Sequence, residues 1–262
     1  MADLSVRMYS NYLKRTVSFK VILPVDVRND FPPEETPQRK RPMKTLFLLH
    51  GYTGDADNWV PFGLPEKYNF AVIIPNGENS FWLDGMSTGH EFCKYLGEEL
   101  IDFVRKAFGL AKSPEDTYIM GLSMGGFGAL HTALYYPEVF GKLTALSSAL
   151  IHHEVAEMKE GEGNDVANYD YYRECFGEPS KLLESDNNPE TLVKKIKASG
   201  KKMPEIYMAV GTEDFLLENN RRMHAFLEEE NVPHTYIEDK GIHDMEFWSK
   251  YAGVFIPKMF AE

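Results

Sequence analysis

Short β-rich runs recur along the chain, each closed by turn chemistry, at residues 17–23, 46–49, 70–74 before Pro75, 118–120, 143–146, 206–210 and 235–237. Several are unbroken apolar runs, the pattern of strands buried on both faces of a parallel sheet. Between them the apolar positions change period. Phe92, Leu96, Leu100, Phe103, Val104 and Phe108 repeat at helical spacing, as do Phe127, Leu130 and Leu134 before Pro137, and Met223, Phe226 and Leu227 before Asn231 and Pro233. Strands alternating with helices predict an α/β protein with a mostly parallel central sheet flanked by helices.

Two stretches break this rhythm. Residues 17–23 run into Pro24, and residues 29–42 carry Pro32, Pro33, Pro37, Arg39, Lys40 and Arg41, which predicts antiparallel strands joined to the rest by an exposed loop. Residues 151–202 hold a polar tract (EMKEGEGND), Tyr169, Tyr171 and Tyr172, and an amphipathic run at 192–196. That is too long for a connection and too short for a domain, so the expectation is one domain over residues 1–262 with a partly helical cap inserted at about 151–202.

Composition narrows the partners. The 262 residues include 28 Lys plus Arg against 40 Asp plus Glu, a formal charge of −12, which excludes a nucleic-acid binder held by phosphate contacts. No run of apolar residues is long enough to span a membrane, and the first ten residues lack a basic segment followed by an apolar one, so the expected location is cytoplasmic. Cys93 and Cys175 are too few for a disulfide framework and stand in no metal-binding spacing, which predicts two free thiols.

The most informative stretch is YIMGLSMGGFGAL, where Gly121, Ser123 and Gly125 form G-x-S-x-G between a predicted strand and a predicted helix, the context of a nucleophile elbow. A serine hydroxyl needs a base, and in this arrangement the chain order is serine, acid, histidine. Of the histidines after Ser123, His131 and His224 fall inside helices, and His152 and His153 precede the acid candidates. His234 starts a strand, and His243 stands in a loop after the last strand, which makes it the favoured base. Asp214, in VGTEDF after the run 206–210, is the favoured acid, with a helix N-cap as its alternative role and Glu213 as its rival. Two backbone donors would complete an oxyanion hole: Met124 after the nucleophile, and Tyr52 in the loop HGYTG. His50 in that loop reads as structural.

The ordered set HGYTG, GLSMGGFGAL, GTEDF and GIHDMEFW resembles the esterase D-type branch of the α/β-hydrolases, which includes tributyrin esterases, feruloyl or cinnamoyl esterases and S-formylglutathione hydrolases. The resemblance covers nearly the whole chain from about Val17. It implies an α/β-hydrolase fold and a serine carboxylesterase working through Ser123, Asp214 and His243 without metal or cofactor. The elbow with Phe127 is more similar to the tributyrin and feruloyl esterases. S-formylglutathione hydrolases usually carry a cysteine where this chain has Tyr52, Thr53 and Gly54. The segment SFWLDGMSTG is similar to an aromatic loop near the site in such esterases, so Phe81, Trp82, Trp59 and Phe127 are expected to bind an acyl or aryl group, with a plain core role as the alternative.

The expected substrates are small-molecule esters of short acyl or hydroxycinnamoyl groups. Acyl transfer, a glutathione-type thioesterase and a non-catalytic binding protein are the alternatives. Members of this branch are often dimers or larger, which makes a homo-oligomer the expected assembly.

Overall fold

The computed structural model describes residues 1–26, 30, 35–57, 59–61 and 63–261. Its eight strands are β1 (Ala2–Ser10), β2 (Arg15–Leu23), β3 (Lys44–Leu49), β4 (Phe70–Pro75), β5 (Thr117–Leu122), β6 (Lys142–Leu146), β7 (Glu205–Gly211) and β8 (His234–Asp239). They form one sheet in the order β1-β2-β4-β3-β5-β6-β7-β8. β1 pairs antiparallel with β2 and β2 with β4, while the other neighbours are parallel. The result is the expected mostly parallel sheet of an α/β-hydrolase, with an antiparallel edge.

The helices are α1 (Leu64–Tyr68), α2 (Phe92–Lys94), α3 (Ile101–Phe108), α4 (Met124–Tyr135), α5 (His152–Glu157), α6 (Tyr169–Phe176), α7 (Pro189–Ser199), α8 (Leu217–Glu229) and α9 (Met245–Phe260). A wider turn over Tyr95–Leu100 joins α2 to α3. Every residue of β3, β4 and β5 is buried, as their unbroken apolar runs require. Alternate residues face opposite layers. Phe47, Leu49, Ile119 and Leu143 pack with Leu130, Leu134 and Val104 on one side, and Leu46, Leu48, Val72 and Met120 pack with Ile256, Met259 and Phe260 of α9 on the other. α4 has only Tyr135 at the surface, the signature of a helix enclosed on all sides.

β1 is a strand the continuous-run criterion passes over. Its apolar residues Leu4, Val6 and Met8 alternate with the exposed Asp3, Ser5, Arg7 and Tyr9, the period-2 pattern of an edge strand with one wet face. Within the loop 29–42, positions 29 and 31–34, Pro32 and Pro33 among them, lie outside the described residues; Pro37–Lys40 forms one 3-10 turn. The segment between β6 and β7 holds α5, α6, a 3-10 stretch at Pro179–Glu184 and α7, and α7 packs against α4 beside the sheet. No helix among the described residues is long and apolar enough to cross a membrane, and Cys93 and Cys175 are buried, each outside any disulfide.

Candidate active site

Ser123 occupies the turn between β5 and α4 with φ 54° and ψ −120°, a backbone state that costs a non-glycine residue roughly 1–3 kcal/mol and persists only where the surroundings impose it. Three hydrogen bonds impose it here. The Ser123 N–H donates to Leu146 O at 2.8 Å, and the Ser123 carbonyl accepts from Phe127 N at 3.1 Å and Ala149 N at 3.0 Å. The turn leaves no room for neighbouring side chains. A Cβ at Gly121 would lie 2.0 Å from Gly125 O, and one at Gly125 would lie 2.3 Å from Leu49 O. The second contact presses the elbow against the loop that leaves β3.

His243 sits in the loop between β8 and α9, and Asp214 in the loop after β7. The His243 Nε2 is 3.0 Å from Ser123 Oγ, and its Nδ1 is 2.9 Å from Asp214 Oδ2 and 3.1 Å from Oδ1. The two loops are clamped together: Glu213 N donates to Gly241 O at 2.9 Å and Thr212 N to Asp239 O at 2.8 Å. Close contact requires glycine here too, since a Cβ at Gly211 would lie 2.3 Å from Gly241 O. The Asp214 side chain is sealed from solvent. Burial acts to raise its carboxyl, but hydrogen bonds from His243 and from Leu216 N (2.9 Å) outweigh this and hold it below the ordinary carboxylate value. The carboxylate therefore faces the imidazole and also accepts from the backbone just before α8, but the N-cap of that helix is Leu216, so Asp214 does not take the N-cap role expected as its alternative. Phe215, 76% exposed, lies across the His243 ring at 4.5 Å, and Trp248 meets it edge-on at 4.9 Å.

Among the described residues, the backbone N–H groups of Met124 and Tyr52 have no hydrogen-bond acceptor; both residues line the same cavity as Ser123. His50 is a strut of that loop. Its Nε2 accepts from Gly77 N at 2.9 Å, so its Nδ1–H donates to Gly51 O at 2.8 Å. His234 lies at the opposite end of the sheet, at the start of β8, paired with His224 at 2.7 Å and with Val232 O. Glu213 is exposed and does not reach His243.

The cavity over Ser123 has a volume of about 610 Å³. Trp59, Phe81 and Tyr52 line it, whereas Trp82 and Phe127, also expected there, do not. Trp82 is fully buried behind the wall, its ring beside Gly77 and Gly128 and its indole N–H donating to His50 O at 3.3 Å. Phe127 is core on α4, packed on Phe81 and Phe176. Sequence reasoning missed Ile151, Asn164, Val166 and Tyr172, which come from the insertion between β6 and β7, Phe215, which comes from the loop of Asp214, and Met245 and Trp248, which come from the first turn of α9. Phe215 and Met245 could have been found by their adjacency to the candidate acid and base.

The sheet and the half-buried serine at its strand-to-helix turn define the class: a serine hydrolase on the α/β-hydrolase fold. The chain belongs to the Putative esterase family, whose model matches residues 10–253. It is 41% identical to an acetyl esterase of Caldicellulosiruptor saccharolyticus over 258 residues, covering 96% of this chain and 95% of that protein. Among solved structures it is similar to the fluorophosphonate-binding serine hydrolase F of Staphylococcus aureus, with 28% identity, a TM-score of 0.83 and coverage of 100% of this chain and 99% of that one. It is also similar to the S-formylglutathione hydrolase of Staphylococcus aureus, with 27% identity, a TM-score of 0.80 and coverage of 99% and 98%. The chain is a serine carboxylic ester hydrolase.

Proposed function

We propose that the protein hydrolyses small neutral or aromatic esters, with acetyl and other short acyl groups first and hydroxycinnamoyl groups within reach, through an acyl-enzyme formed on Ser123. The observation that carries this reading is the continuous chain from Asp214 through His243 to Ser123, with contacts of 2.9 and 3.0 Å. Asp214 holds His243 with its proton on Nδ1, which leaves Nε2 free to take the Ser123 proton as Oγ attacks the ester carbonyl. The resulting oxyanion accepts from Met124 N–H and Tyr52 N–H, a pair of backbone donors fixed before the substrate arrives. The imidazolium then returns its proton to the departing alcohol. Water, activated by the same nitrogen, releases the acid.

The acyl preference follows from the wall. Trp59, Phe81, Leu122, Ile151 and Met124 present apolar surface, and Asn164 and Tyr172 add two neutral polar groups, which suits an uncharged acyl group and few fixed anchors. A cavity of about 610 Å³ exceeds what an acetyl group fills, so an aromatic acyl group is accommodated as well. The acetyl esterase relative supports the short-acyl end of this range. The loop Tyr52–Gly54 offers no thiol for a glutathione conjugate. The insertion that supplies Ile151, Asn164, Val166 and Tyr172 serves as the cap.

The test is a panel of p-nitrophenyl acetate, butyrate and octanoate beside methyl ferulate and S-formylglutathione, run on the wild type and on Ser123→Ala. The expected result is highest kcat/KM on the short esters, measurable ferulate cleavage, and a loss of about 10⁶-fold in kcat for Ser123→Ala. Cleavage of the octanoate alone would refute the acyl assignment. Rates unchanged in Ser123→Ala, or no fluorophosphonate adduct on Ser123, would refute the mechanism.

A further inference from the structure

The insertion between β6 and β7 carries a side-chain cluster that ester hydrolysis does not use. His152 and His153 open α5, and Glu190 lies in the first turn of α7. His152 is 2% exposed, and neither of its ring nitrogens has a hydrogen-bond partner among the described residues. The nearest carboxylate oxygen, Glu190 Oε1, is 3.7 Å from its Nε2, outside hydrogen-bond reach. A neutral imidazole carries one N–H donor and one lone pair. A sealed histidine with both nitrogens idle is therefore an unsatisfied polar group that calls for a missing partner. His153 converges on the same oxygen, its Nε2 lying 2.8 Å from Glu190 Oε1, and the two imidazole rings are 4.6 Å apart.

We propose that His152, His153 and Glu190 form a binding site for a divalent transition-metal ion of the zinc type, with water completing the coordination. One ligand atom from each residue lies within 4.8 Å of the others. An ion with bonds of about 2.0–2.1 Å in tetrahedral geometry sets its ligands roughly 3.3 Å apart. The two separations from Glu190 Oε1, 2.8 and 3.7 Å, bracket that value, and the His152 and His153 ligand nitrogens lie within 4.8 Å of each other. Two imidazoles and one carboxylate suit zinc, cobalt or nickel, whereas magnesium and calcium favour all-oxygen sites. The His153 and Glu190 side chains are 27% and 16% exposed, which leaves the ion a path from solvent. The second histidine–carboxylate group, His224, Glu228 and His234, is less suited. His224 and His234 already bond to each other at 2.7 Å, and Glu228 is exposed.

The ion would pin the start of α5 to the start of α7. Ile151, the residue before His152, lines the cavity over Ser123, and the His152 ring lies 6.3 Å from the Phe127 ring on α4. The role is structural, fastening one wall of the pocket, and the expectation of a metal-free ester hydrolysis is untouched by it. The sequence hides the site because the third ligand comes from a different helix, 37 residues beyond His153.

The experiment titrates the chelator-treated full chain with Co²⁺ and Zn²⁺, reading visible cobalt d–d absorption, bound metal per chain and Tm. The expected result is one saturable equivalent with a rise in Tm. His153→Ala and Glu190→Gln, both at part-exposed positions, should each weaken uptake by at least about 10- to 100-fold, as loss of even an outer-shell partner does in established sites. His224→Ala should leave it intact. Three outcomes would overturn the proposal: no saturable uptake by the wild type at micromolar metal, uptake indifferent to both substitutions, or uptake abolished by His224→Ala. Circular dichroism of the metal-free variants separates lost ligation from misfolding.

Discussion

The elbow is tight enough for one methyl group to disable it. Gly125 lies where the nucleophile turn presses on the loop that carries Tyr52. An alanine Cβ there would sit 2.3 Å from Leu49 O and 2.5 Å from His50 O, roughly 1 Å closer than a relaxed carbon–oxygen contact. Both obstacles are backbone atoms, so no rotamer change relieves them, and the end of β3 must retreat from α4. That retreat carries the Tyr52 N–H away from the position where, in the proposed mechanism, the oxyanion forms. A misplacement of about 1 Å costs on the order of 10²-fold, and the loss of one oxyanion donor costs ~10² to 10³, so Gly125→Ala should lower kcat on p-nitrophenyl acetate by about 10²-fold or more, with a smaller change in KM. Alanine is the better helix former by up to about 1 kcal/mol, so the effect is steric and opposes propensity. Gly253→Ala, where nothing lies within 4 Å of the added carbon, is the matched control and should retain full activity. A Gly125→Ala enzyme with wild-type kcat would refute the geometric account of the elbow.

Four further substitutions probe other parts of the molecule. Asp214→Asn keeps the shape of the side chain but favours the wrong imidazole tautomer, so kcat should fall by about 10⁴-fold while KM stays near the wild-type value. His131 is fully buried, with Nε2 donating to Asp186 O, and burial depresses its pKa from 6.5 to about 4. Between those two values the unfolded chain binds the proton that the folded chain refuses. Stability is therefore complete above pH 6.5 and falls as the pH drops toward 4, by about 3 kcal/mol from this group; His131→Gln should flatten that part of the Tm–pH curve, and an unchanged curve would contradict the assignment. Trp82→Ala, at a core position, should lower stability by about 3–5 kcal/mol, whereas Trp59→Ala, on the pocket wall, should raise KM for aryl esters with little change in Tm.

The parallel strands were legible because burial on both faces leaves an unbroken apolar run, as at Leu46–Leu49. The serine turn was legible because its geometry tolerates so few residues at 121 and 125. β1 shows its signal in a different register, the alternation of Leu4, Val6 and Met8, which a search for continuous runs does not see. The pocket wall was the least legible part. Phe81 and Trp82 are adjacent and similar in size, yet one faces the cavity and the other the core. Both have positive φ, 52° and 59°, a backbone state that nothing in their side chains announces. The clamp between Gly211 and Gly241 is equally silent in sequence, since a glycine reports a close approach without naming what approaches.

Ser123 leaves β5, Asp214 leaves β7 and His243 follows β8, so each side chain of the proposed triad hangs from the sheet, while Ile151, Asn164, Val166 and Tyr172 reach the cavity from the excursion between β6 and β7. Part of the selectivity surface is thus written on a stretch of chain separate from the strand ends that carry the proposed chemistry. Changes confined to that excursion alter part of the wall without touching the ends of β5, β7 and β8. The same division makes it the natural graft point for redirecting the enzyme by design.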